Sequence, residues 1–91
     1  MKVKYFAYLR DYAGCKEESI SGSSTALTLL HVLAKIHGPT LGKHILTEDG
    51  KEIHEDLIFL IDGRNVDFLQ GKDSVIDEGA VVSLFPRIAG G

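Results

Sequence analysis

The chain has 91 residues, a formal net charge of −3 and no basic run, which argues against a nucleic-acid-binding surface. Hydrophobic residues at 44% and charged residues at 25% are ordinary globular values; no apolar stretch approaches a membrane span, and the N-terminus carries no signal-peptide pattern. A single cysteine, Cys15, allows no internal disulfide, so the expectation is one cytoplasmic domain, residues 1–91, with no nucleic-acid and no membrane partner.

Residues 2–10 alternate, with Val3, Tyr5, Ala7 and Leu9 on one side and Lys2, Lys4, Phe6, Tyr8 and Arg10 on the other. That period predicts a half-buried strand whose outer face carries Phe6 and Tyr8 among charges. Asp11-Tyr12-Ala13-Gly14 reads as a turn, and residues 16–20 as a short hairpin partner. Cys15 has no identifiable base or helix N-terminus beside it in sequence, so a structural role is expected.

A helix comes next. Ser24 or Thr25 can serve as N-cap; Leu29, Val32, Leu33 and Ile36 make an apolar stripe, widened by Leu27, Leu30 and Ala34; Gly38 and Pro39 stop the helix at His37. Residues 41–53 are less regular, although Asp49-Gly50 is a two-residue turn signal between runs that could pair. Residues 57–61, Leu-Ile-Phe-Leu-Ile, read as a strand buried on much of both sides, and Asp62-Gly63 as a tight turn into a return strand at 64–66. Residues 67–79 are mostly loop, anchored by Leu69, Val75 and Ile76, and 80–85 form the last strand. Its inner face carries Ala80, Val82 and Leu84, and its outer face Val81, Ser83 and Phe85.

The order strand, strand, helix, strand, strand predicts an α+β fold of β-grasp type, with a mixed four- to five-stranded sheet and one main helix packed on one face. The first and last strands then lie side by side, so Phe6 and Phe85 become neighbours in an exposed apolar patch. Contiguous patches rimmed by charge mark interfaces. Pro86 lacks an N–H and holds Phe85 extended, so regular sheet is expected to end there and residues 86–91 to form a flexible tail. That tail is Pro86, Arg87, Ile88, Ala89, Gly90 and Gly91. Two closing glycines have no Cβ and can pass through a channel too narrow for other residues, which makes the terminal carboxylate accessible to another enzyme.

Tyr5-Phe6-Ala7-Tyr8-Leu9-Arg10-Asp11 with Gly14, together with the ending Phe85-Pro86-Arg87-Ile88-Ala89-Gly90-Gly91, resembles the MoaD and ThiS ubiquitin-like sulfur carriers. The likeness is closest to MoaD, the small subunit of molybdopterin synthase, and to the longer archaeal-type small modifiers related to it. It implies that Gly91 is the site of adenylation and thiocarboxylate formation, and that Phe6, Arg10, Leu69 and Phe85 bind partners. The implied partners are an adenylating enzyme that uses ATP, the large subunit of molybdopterin synthase, or target proteins for conjugation. Thiamin synthesis and transfer RNA thiolation use similar carriers. Two positions depart from the pattern: Arg87 stands where many relatives have a second proline, and Ala80 where many have aspartate.

No catalytic site is expected within the chain, and no stably bound cofactor. His31, His37, His44 and His54 fit no metal-ligand spacing, no glycine-rich loop opens a helix, and no nucleophile, base and orienting acid can be placed together. A carrier whose own carboxylate is the reacting group needs none of these.

Overall fold

The structure, a computed structural model, describes residues 1–87. Ile88, Ala89, Gly90 and Gly91, on which much of the expected tail falls, lie outside the described residues. The elements are β1 (Lys2–Tyr5), α1 (Tyr8–Ala13), β2 (Glu17–Ser19), β3 (Ser24–Thr25), α2 (Ala26–His37), α3 (Pro39–Ile45), β4 (Leu57–Ile61), β5 (Arg64–Asn65), β6 (Val75–Ile76) and β7 (Val81–Pro86). Two short 3-10 turns, Val66–Phe68 and Gly71–Asp73, lie between β5 and β6.

Five strands make one mixed sheet in the order β2-β1-β7-β4-β5; β1 and β7 run parallel, and the other neighbours antiparallel. This is the β-grasp arrangement, with the first and last strands side by side in the body of the sheet. Register places Val3 beside Val82 and Tyr5 beside Leu84, so their side chains share the buried face with Phe59 and Ile61. Against that face α2 lays Ala26, Leu29, Leu30 and Leu33, all fully buried. Full burial of each leucine is worth about 1.5–3 kcal/mol relative to exposure. Thr25 caps α2 by accepting the N–H of Thr28, and Gly38 comes directly after its last residue, as the sequence predicts.

Several expectations are corrected. The first strand stops at Tyr5 instead of reaching Arg10, because the chain turns at Ala7 and continues as α1. Leu9 and Ala13, four residues apart, are the buried face of that helix, and Gly14 is its left-handed C-cap at φ 75°, not the turn of a hairpin. A short run that alternates along its length also carries this i, i+4 pair, so the local pattern permits either element, and the Gly14 stop signal is compatible with the helix without selecting it.

Pro39, expected only to end α2, also opens α3 at the first helical position, where its missing N–H costs nothing. The expected hairpin over 41–53 is therefore a helix and then a single bridge, Leu46 to Ile53, around the Asp49-Gly50 turn. Gly50 has φ 73°, a left-handed conformation that favours glycine, and an added Cβ would crowd the His31 ring at 3.1 Å.

The buried side of α2 is also displaced. Val32 and Ile36 are exposed, at 37% and 53%, while Leu30, placed at the margin of the stripe, is completely buried. The cause is α3: Gly42 brings its backbone so near that a Cβ there would sit 3.2 Å from Ala34 Cβ, and Leu41 and Ile45 are buried in the same core. Among the three anchors expected in 67–79, only Ile76 is buried; Leu69 and Val75 are exposed, and Val66 and Ser74 hold the segment instead.

Candidate functional site

The sheet face opposite the helices carries Lys2, Lys4, Ile58, Leu60, Val81, Ser83 and Phe85, none of them buried. Phe6 joins this face without belonging to a strand. Its N–H is donated to Leu84 O at 3.1 Å, extending the parallel ladder by one residue, so its ring reaches the level of Phe85. The two rings stack with centroids 4.1 Å apart and planes inclined by 9°. The expected adjacency of Phe6 and Phe85 is thus present, and the reason differs from the one the alternation suggested.

Immediately after Phe6, Ala7 holds φ 53° and ψ −138°, a region that favours glycine. The N–H of Leu9 is donated back to Phe6 O at 3.2 Å, closing the turn that swings the chain from β1 into α1. Strain of this kind costs about 1–3 kcal/mol and persists where surrounding structure imposes it. Ala7 is held between the Phe6 ladder bond and stack on one side and the buried Leu9 and Ala13 of α1 on the other.

Across from Phe85 stands Ile58, and across from Ser83 stands Leu60, both half-buried. These two widen the aromatic pair into an apolar patch, and the sequence does not single them out because 57–61 is apolar on both sides. A signal was present: only one face of the sheet has an amphipathic helix to cover it, so alternate residues of that run must face outward.

At the edge of this patch the sheet ends. Strand β7 runs through Pro86, opposite Leu57, one residue further than a proline was expected to permit. Leu57 donates its N–H to His54 O, and Arg87 donates its N–H to Asp56 O. Pro86 and Arg87, expected as the start of a flexible tail, are therefore held against the body. Arg87 stands two positions past Phe85 and four before Gly91, so the anchored end of the chain lies beside the aromatic pair.

Arg10 is exposed on α1 and makes no ion pair among the described residues. Leu69 is 41% exposed and lines a shallow cavity with exposed Phe68 and Val75. The four expected partner-binding residues are thus all accessible to some degree, and Phe6 and Phe85 stack on each other.

Three of the four histidines occupy surface or turn roles. His31 donates to Gly50 O, His44 bonds Thr40 O and stacks on Tyr12, and His54 accepts from the N–H of Asp56. His37 differs. It bonds Glu18, and both stand beside Cys15, the residue for which the sequence offered no neighbouring base. His37 lies four residues after Leu33 and seven after Leu30, on the buried side of α2, a spacing from which its inward position could have been read.

The ThiS family model matches residues 3–91, and so takes in β1 from Val3, the Phe6–Phe85 pair and the closing glycines. The chain belongs to the ThiS family. Three relatives of this ThiS-family chain each cover 96% or more of it. Small archaeal modifier protein 3 of Haloferax volcanii is 31% identical over 93 residues, covering 100% of this chain and 98% of that one. The solution structure of small archaeal modifier protein 1 from Methanosarcina acetivorans is 30% identical, covers 99% of this chain and 94% of that one, and superposes with a TM-score of 0.82. A Pyrococcus furiosus protein provisionally named molybdopterin converting factor, subunit 1, is 28% identical over 96% of this chain and 95% of its own, with a TM-score of 0.72. The chain is thus similar to ubiquitin-like carrier and modifier proteins of the MoaD and ThiS type, which are not themselves enzymes. Among the described residues no helix is long and apolar enough to cross a membrane.

The patch yields a direct expectation. Replacing Phe85 by Ala removes the stack, which should lower stability by about 0.5–1.5 kcal/mol, and should weaken binding to an adenylating partner by about 1–3 kcal/mol if this ring is a contact centre. Urea unfolding and calorimetric titration separate the two effects. Unchanged affinity per folded molecule would remove the patch from the docking surface.

Proposed function

We propose that this protein is a sulfur carrier whose Gly91 carboxylate is activated by an ATP-dependent adenylating enzyme and converted to a thiocarboxylate. The observation that carries the reading is the end of the chain: Arg87 is anchored directly after the Phe6–Phe85 patch, and the family match continues from there to Gly91. A partner that docks on the patch therefore receives the tail at a defined starting point.

The chemistry is that of the carboxylate. An α-carboxyl with a reference pKa of about 3.3–3.7 is ionised at neutral pH and is a poor electrophile. Transfer of an adenylyl group from ATP, with pyrophosphate leaving, converts it to an acyl-adenylate. A persulfide then displaces AMP to give an acyl disulfide, and a thiol cleaves the S–S bond to leave the thiocarboxylate. The proposed acceptor is a pterin precursor held by the large subunit of molybdopterin synthase, in which the sulfur builds the dithiolene. The name of the Pyrococcus furiosus structure supports this acceptor. No cofactor is assigned to the carrier itself; ATP belongs to the partner.

A second reading has specific support, because the Haloferax volcanii and Methanosarcina acetivorans relatives are both named modifiers. In that reading a target lysine amine attacks the activated Gly91, and an isopeptide bond attaches the domain. Intact mass of the protein isolated from its own cells, with and without reducing agent, distinguishes the two. One oxygen exchanged for sulfur without conjugates is the expected result for the carrier. Ladders of conjugates joined through Gly91 establish the modifier, and an unmodified terminus with neither product removes both.

A further inference from the structure

We propose that Cys15, Glu18 and His37 form a zinc site that ties the edge strand β2 to the C-terminal end of α2. One ligand atom from each residue, the Cys15 Sγ, a Glu18 carboxylate oxygen and a His37 ring nitrogen, lies within 4.8 Å of the other two. Around a tetrahedral zinc, with Zn–S near 2.3 Å and Zn–N and Zn–O near 2.0–2.2 Å, the ligand atoms stand roughly 3.3–3.7 Å apart. The observed cluster needs only small side-chain adjustments to close on a metal. A thiolate, an imidazole and a carboxylate suit zinc and exclude magnesium and calcium, which take oxygen ligands.

Two further features support the assignment. Tyr5, itself buried, donates its hydroxyl to Glu18 Oε2 at 2.5 Å, and its ring meets the His37 ring edge-on at 5.9 Å. Such outer contacts orient metal-binding carboxylates and imidazoles. The cluster is also short of positive charge. Glu18 is paired with no lysine or arginine among the described residues, only with His37, and the two side chains are 20% and 14% exposed. A largely desolvated carboxylate beside a thiol is stabilised by a cation placed between them. On binding, the Cys15 thiol proton leaves to solvent as the Zn–S bond forms, and the hydrogen on His37 Nε2 passes by way of solvent to Nδ1, so that the Nε2 lone pair takes the metal in place of its hydrogen bond to Glu18.

The site is independent of the chemistry at Gly91. The full chain, with its thiol kept reduced, would be titrated with Zn²⁺ against a chromophoric chelator and, separately, with Co²⁺. The expected result is one equivalent bound, a thiolate-to-cobalt charge-transfer band, the strong visible absorption of a tetrahedral site, and a higher melting temperature with zinc. Cys15→Ser should abolish the charge-transfer band, His37→Gln should abolish tight binding, and Tyr5→Phe should weaken zinc affinity about 10- to 100-fold. Circular dichroism establishes that each variant is folded. If Cys15→Ser does not fold, alkylation of Cys15 in the unaltered chain decides: protection by zinc supports the site, and unchanged reactivity overturns it. Absence of binding, or binding that survives His37→Gln unchanged, also overturns the proposal.

Discussion

Deleting Gly91 is expected to abolish adenylation while leaving docking intact. The truncated chain keeps the fold, the Phe6–Phe85 stack and an ionised carboxylate at Gly90. That carboxylate is withdrawn by one residue, about 3.3–3.6 Å of extended chain. Reacting groups must approach to about 3–3.5 Å, so a displacement of this size takes the nucleophilic oxygen out of reach of the ATP α-phosphorus. Anchoring makes the test sharper: Arg87 is bonded to Asp56 O, so the docked body cannot slide forward to compensate without breaking that bond and the end of β7. Gly90→Val examines the companion requirement, since a branched side chain adds bulk and removes the backbone freedom of glycine. Both variants should bind the adenylating enzyme and fail in ATP–pyrophosphate exchange. Full activity of the truncated chain would make the closing glycines incidental and remove both the carrier and the modifier readings.

Substituting Leu30 by Ala is expected to cost about 2–5 kcal/mol, the range for deleting a large buried side chain that leaves a cavity. Ile36→Ala should cost about 1 kcal/mol or less, because an exposed site has little packing to lose. The pair tests the rotation of α2 directly. A helix seated on the stripe Leu29, Val32, Leu33 and Ile36 would make Ile36 the costly position, whereas the helix seated against α3 makes it Leu30, which is fully buried while Ile36 is 53% exposed. Urea unfolding of the two variants reads the difference. Equal losses would contradict the close approach of Gly42 to Ala34.

Local chemistry alone determined much of this protein. The boundaries of α2 were legible because its cap at Thr25, its apolar periodicity and its Gly38 stop all act within a few residues. Strands β4 and β7, the tight turn at Asp62-Gly63 and the inward set Ala80, Val82 and Leu84 were legible for the same reason. The adjacency of Phe6 and Phe85 was deduced from strand order, and the Gly90-Gly91 ending is a property of the chain itself.

Tertiary structure decided what local signals left degenerate. Residues 6–13 satisfy both a strand period and a helical i, i+4 pair, and the choice falls to the helix because Leu9 and Ala13 find the core only after Ala7 is forced into its turn. Six large apolar side chains, at positions 27, 29, 30, 32, 33 and 36, spread around so much of α2 that the periodicity permits several seatings, and only α3 packed on Ala34 selects one. The outward faces of Ile58 and Leu60 were undetermined by an apolar run and are set because helices cover a single side of the sheet. Cys15, Glu18 and His37 are separated by up to 22 positions and obey no ligand spacing; closing the β1–β2 edge against the end of α2 is what brings them together, since contacts between distant segments have no local cause in the chain.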